Sequence, residues 1–193
     1  MPSKPTILFI HVGVMDDARR ITDELVQLID IEHKDVAIVA HSYEGCCVRI
    51  IYLTAFLVPI GSSLLSPLGG LIPSCVLVDE QEMCIMTDPQ SQIYDDLPEE
   101  EQVHWTKEMR KCPVSTQLAP ISQAAYISHA VSYIYCALDN GLSYSMQKKM
   151  VADVSAKYGL SISTDVLQAG HSPYLSKTSE HLEAVETQLR EAI

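Results

Sequence analysis

The sequence predicts an α/β fold with a mostly parallel sheet flanked by helices. Three observations carry this. Continuous apolar runs of strand length occur at residues 6–12 (TILFIHV), 35–40 (DVAIVA) and 131–137 (VSYIYCA). Runs without polar alternation are the mark of strands buried on both faces. Stretches with apolar residues at helical spacing follow them, and strands alternating with helices imply parallel pairing. The chain has 193 residues, 47% hydrophobic and 20% charged, which is enough for one domain with a real core and too little for two ordinary ones.

In chain order, the first strand lies at 6–12. Asp16 or Asp17 can cap a helix whose apolar positions Ile21, Leu25, Leu28 and Ile29 share a face. The second strand is 35–40 and the third clear strand is 131–137. The next helix carries Met146, Met150, Val151, Val154 and Tyr158 on one side, and Gly159 is placed to end it. Residues 161–167 read as the last strand. A C-terminal helix from about Ser179 presents Leu182, Val185, Leu189 and Ile193.

Residues 60–130 break this rhythm. The stretch from Pro59 to Ala130 holds seven of the ten prolines and the acidic cluster Asp95, Asp96, Glu99, Glu100 and Glu101. An insertion of this size between sheet strands predicts a cap or lid within a single 1–193 domain. The cluster itself reads as a solvated helix start rather than a binding element.

Composition excludes several classes. The net charge of −12 is the wrong sign for nucleic acid or an anionic membrane surface. The longest apolar run, at 50–60, is shorter than the about 20 residues a membrane span requires. The N-terminus lacks a signal-peptide pattern, so the expected location is cytoplasmic. The six cysteines form no CxxC pair and read as reduced thiols, and no spacing suits zinc, so no metal is expected. Glycine-rich phosphate loops are absent, so no cofactor is expected and the partner is a small-molecule substrate.

The chemistry concentrates in three strings. Ala40-His41-Ser42-Tyr43-Glu44-Gly45 directly follows a buried strand, and a serine on a sharp strand-to-helix turn presents its hydroxyl above the sheet. Gln168-Ala169-Gly170-His171-Ser172-Pro173 follows the last strand, at the carboxyl edge where open α/β sheets build their sites. Asp139 follows VSYIYCA, placed to hold an imidazole tautomer. Serine, acid, histidine is the chain order of α/β hydrolases.

With these strings in place, the chain resembles the α/β-hydrolase superfamily, specifically the small, serine esterase-like branch related in pattern to plant methylesterases and hydroxynitrile lyases. PTILFIH, DVAIVAHSY, IYLTAFLVPIGSSL, YDDLP, VSYIYCALDN and LQAGHSPYLS carry the resemblance over nearly the whole chain. It implies an α/β-hydrolase fold with an inserted cap, Ser42 as nucleophile, His171 as general base and Asp139 as its orienting acid. It also implies one oxyanion amide from the loop at Val12 and Gly13 and the other from Tyr43.

The chain departs from the pattern in its N-terminal half. Glu44 stands where the family has glycine, and negative charge near a developing oxyanion is unfavourable in a low-dielectric site. His11-Val12-Gly13 replaces the His-Gly oxyanion motif. The usual extra helix and strand after the first strand have no room, which predicts a reduced strand count and an exposed edge suited to a homodimer. Only five residues separate Ser42 from the run at 48–57, whereas a parallel crossover takes a dozen or more. Either that run is partly helical or the two runs are not adjacent parallel strands; a short helical turn at 44–48 leading into a strand is the reading preferred here.

The expected function is a serine hydrolase acting on a small apolar ester, lactone or thioester through an acyl-enzyme. The alternatives are a non-hydrolytic lyase or cyclase of the same fold, and a degenerate relative with a binding role. His104, His129 and Trp105 read as surface or packing residues, and Met83, Met86 and Met109 as a soft apolar lid.

Overall fold

The computed structural model describes residues 6–10, 27, 36–41 and 49–191. Its first three strands are β1 (Thr6–Ile10), β2 (Val36–His41) and β3 (Arg49–Leu53). The inserted stretch then supplies β4 (Val76–Val78), β5 (Met83–Met86), α1 (Pro89–Gln92), α2 (Glu99–Glu108), β6 (Cys112–Pro113) and α3 (Val114–Leu118). The chain ends with β7 (Ala130–Cys136), α4 (Tyr144–Tyr158), β8 (Ser163–Leu167), α5 (Pro173–Ser176) and α6 (Thr178–Glu191). The helix expected from Asp16 or Asp17, with Ile21, Leu25, Leu28 and Ile29, lies outside the described residues.

Among the described residues, five strands form one parallel sheet in the order β1-β2-β3-β7-β8. Among the described residues β1 is therefore an edge strand. Alternate side chains of the central strands point to opposite faces, and each face has its own core. Ile50, Tyr52, Tyr133 and Tyr135 pack with Met150, Val151 and Val154 of α4. Ile51, Leu53, Ile134, Cys136 and Leu167 pack with Ala184, Val185 and Leu189 of α6. Each fully buried aliphatic side chain contributes roughly 1.5–3 kcal/mol relative to exposure, which explains why the apolar runs have no polar alternation.

The structure resolves the conflict around β3. β2 and β3 are adjacent and parallel, with Ile38 opposite Ile50 and His41 opposite Leu53, although only residues 42–48 join them. Burial decides the arrangement. Ile50, Ile51 and Leu53 are at most 2% exposed, and a strand between β2 and β7 has its backbone groups paired along both edges. The strand also ends earlier than its apolar run. At Thr54 the backbone turns to φ +36°, and the following carbonyls take side-chain donors instead of a ladder: Tyr133 donates to Ala55 O at 2.6 Å and Tyr126 to Val58 O at 2.8 Å. The helical turn preferred for 44–48 lies outside the described residues.

The stretch between β3 and β7 carries a separate three-stranded antiparallel sheet, β4-β5-β6. Glu99, Glu100 and Glu101 form the first turn of α2, where carboxylates favour the positive end of the helix dipole. Asp95 and Asp96 do not share that role. They precede the helix, are partly buried and reach across to the loops after β7 and β8.

α4 starts on Ser143, whose Oγ accepts from the Met146 amide, and stops, where the sequence predicts, at Gly159 in the left-handed region. α6 differs from expectation. Its buried stripe is His181, Ala184, Val185, Gln188 and Leu189, while Leu182 is 43% exposed. The stripe runs through two polar residues, so apolar periodicity alone misplaces the face. Ile193 lies outside the described residues. Among the described residues, no helix is long and apolar enough to cross a membrane.

Candidate active site

Register brings the chain's chemistry to one end of the sheet. His41, Leu53, Ile134 and Asp165 lie on one line across β2, β3, β7 and β8. β2 and β3 end at that line; β7 and β8 continue two residues further, to Cys136 and Leu167. The loops after β7 and β8 stay joined beyond the strands, through Ala137 N–H to Leu167 O at 2.9 Å and Leu138 N–H to Ala169 O at 3.1 Å.

These ties set Asp139 beside His171. His171 Nδ1 is 2.8 Å from Asp139 Oδ2, and the two side chains are 10% and 0% exposed. Asp139 Oδ1 accepts from the Gly141 and Leu142 amides at 2.7 and 2.8 Å. Asp139 Oδ2 also accepts from the Thr54 hydroxyl and, at 3.4 Å, from Gln147 Nε2. Every one of these protein partners offers a donor, which is the environment an acceptor-only carboxylate requires. A carboxylate bonded to one imidazole nitrogen orients the ring and stabilises it when the other nitrogen takes a proton.

Two of these contacts are absent from the sequence reading. Thr54 sits at positive φ, a conformation costly for a β-branched residue. Its contact with Asp139 arises where β3 leaves the sheet. Gln147 is fully buried and donates Nε2 to Cys136 O at 3.0 Å and Leu142 O at 2.6 Å, while its Oε1 accepts from Cys136 N at 3.0 Å. It thereby locks the turn that holds Asp139 to the end of β7. Its signal in the sequence is a polar residue at helical spacing from Met150, Val151 and Val154.

The inserted stretch supplies a third set. Asp95 Oδ2 accepts from Asn140 Nδ2 at 2.8 Å, and Asp96 Oδ2 accepts from the Gly170 amide at 2.7 Å and from Ser176 Oγ at 2.6 Å. Burial, then the charge of Asp96, pushes the Asp95 carboxyl up. The reading of these two residues as part of a solvated helix start is thus corrected. Their neighbours Tyr94 and Leu97 are buried and pull the turn inward.

The other candidates are placed as follows. Ser42, Tyr43, Glu44, Val12 and Gly13 lie outside the described residues; β2 ends one residue before Ser42. His104 is exposed and meets Trp105 edge-on at 5.0 Å between ring centroids. His129 is half-buried and Met109 exposed. Cys75, Cys84, Cys112 and Cys136 are free thiols. Among the described residues, no three His, Cys, Asp or Glu side chains are grouped to hold a metal ion.

The parallel sheet, the helices on its two faces and the acid and histidine at its carboxyl edge define the class: the chain has the fold of the α/β hydrolases. Solved structures of that fold superpose on most of it. A pyrethroid hydrolase from Sphingobium faniae JZ-2 matches with a TM-score of 0.66 and 17% identity, over 92% of this chain and 78% of its own. A polyneuridine aldehyde esterase matches with a TM-score of 0.61 and 15% identity, over 86% of this chain and 77% of its own. The methylesterase protein MES16 from Arabidopsis matches with a TM-score of 0.56 and 20% identity, over 86% and 76%. By sequence, the chain is similar to the alpha/beta hydrolase nvfD of Aspergillus novofumigatus (strain IBT 16806), with 26% identity over 186 residues, covering 83% of this chain and 72% of that one. No family model matches the chain.

Proposed function

We propose that the chain is a serine hydrolase that cleaves a small apolar ester, lactone or thioester through an acyl-enzyme. Ser42 is the nucleophile, His171 the general base and Asp139 the acid that orients it. Tyr43 N–H and the loop at Val12 and Gly13 supply the oxyanion donors. The observation that carries this reading is the buried Asp139–His171 contact at the same edge of the sheet at which β2 ends, one residue before Ser42. The esterases and hydrolases among the similar structures support it.

In this reading His171 removes the Ser42 proton as Oγ attacks the carbonyl carbon. It returns that proton to the leaving alcohol or thiol, then activates water to release the acyl group. Residues 60–130 act as the cap, and the contacts of Ser91 and Asp95 with Asn140 support that role.

The test is burst kinetics on a p-nitrophenyl ester series with the purified chain. A burst stoichiometric with protein is expected, with Ser42→Ala or His171→Ala lowering turnover by about 10⁴-fold or more. A fluorophosphonate probe should add one adduct, on Ser42. A cooperatively folded protein with neither burst nor adduct would overturn the reading.

A further inference from the structure

We propose that Asp96, aided by Asp95, is a positioning residue that fixes the His171 loop from the inserted stretch. The two carboxylates leave one turn, between α1 and α2, and each grips the neighbour of one member of the buried pair. Asp95 Oδ2 accepts from Asn140, next to Asp139. Asp96 Oδ2 accepts from the Gly170 amide, next to His171. Asp96 also accepts from Ser176 on α5, so one carboxylate oxygen brackets the loop on both sides of His171.

Gly170 explains how the acidic pair comes so close. A Cβ at that position would stand 2.8 Å from Asp96 Cγ and 2.9 Å from Oδ1 of both Asp95 and Asp96. Those contacts are shorter than real side chains tolerate, so any larger residue drives the carboxylates off the loop. A glycine here serves close approach rather than a turn. Tyr94 and Leu97, 9% and 6% exposed, anchor the turn on either side. The inserted stretch is therefore the outer clamp on the acid–histidine pair, while Thr54 and Gln147 hold the pair from the sheet side.

The kinetic arm of the test rests on the hydrolase reading; the spectroscopic arm does not. Proton NMR should show a low-field imidazole N–H resonance that is lost in His171→Ala. In Asp96→Ala that resonance should broaden or vanish. Its kcat should fall by about 100-fold, the loss a misplacement of about 1 Å can bring, with KM little changed. Asp96→Asn keeps an acceptor for the Gly170 amide and should recover most of both signals. Should Asp96→Ala not fold, Ser176→Ala, which removes one of the two donors, should move both readouts in the same direction by less. A folded Asp96→Ala, or failing that a folded Ser176→Ala, with wild-type resonance and kcat overturns the proposal. So does equal loss in Asp96→Ala and Asp96→Asn, because charge rather than position would then be what was lost. If the wild-type chain has no Ser42-dependent turnover, the hydrolase reading fails and the resonance alone decides the positioning role.

Discussion

Among the described residues, Asp139 has five donors around it, and they come from four separate parts of the chain: its own turn, Thr54, Gln147 and His171. This convergence is what allows a carboxyl to be wholly buried, since an unpaired one would cost several kcal/mol. His181 is a second buried titratable side chain. It is 1% exposed on α6, and burial holds its imidazole below the ordinary value. The folded protein thus keeps His181 neutral where the unfolded chain would charge it. Stability from this source is full above about pH 6.5, the ordinary imidazole value, and is lost as pH falls through the depressed folded value. Urea midpoints measured from pH 7 down to pH 5 should therefore fall less for His181→Gln than for the wild type. Parallel curves for the two proteins would remove His181 as the cause. At this scale Ser42, Asp139 and His171 were legible as candidates because each follows a strand. Thr54 was not, because its role depends on where β3 leaves the sheet.

The best-read elements are those whose ends carry local chemistry. α4 has a serine at its start and Gly159 at its end, and the glycine was legible. Gly159 adopts φ +66° and its amide donates to Ser155 O. Gly159→Ala should cost about 1–2 kcal/mol, the penalty for an L side chain in the left-handed region, read as a lower urea midpoint with unchanged slope. A change within error would mean that the turn relaxes to negative φ. β6 shows a subtler fit. Val114 N–H donates to Glu82 O, which makes that cross-strand pair hydrogen-bonded. The adjacent pair, Met83 with Pro113, is then the kind whose backbone groups point outward, so the missing proline N–H costs the sheet nothing. α6 was misread because a helix face is chosen by what it packs against, and His181 and Gln188 lie on that face with Val185.

At the scale of the molecule, the parallel sheet has, among the described residues, a core on each face, and its central strands feed both. Ile134 of β7 is 0% exposed and packs in the core covered by α6. Ile134→Ala should cost about 2–5 kcal/mol, the range for deleting a buried aliphatic side chain, seen as a loss of midpoint in chemical unfolding. A cost under about 1 kcal/mol would show that this core is loosely packed. By itself the sequence determined the α/β class, β7, α4, β8 and the order of serine, acid and histidine. These follow from local periodicity, capping and the residues that end each strand, all of which act within a few positions of one another. Only the tertiary structure decided that β3 lies against β2 despite the short link, that Thr54 and Gln147 support Asp139, and that Asp95 and Asp96 clamp the loops of the acid and the histidine. Those outcomes turn on burial and on donors and acceptors far apart in the chain, and such pairings leave no spacing to read.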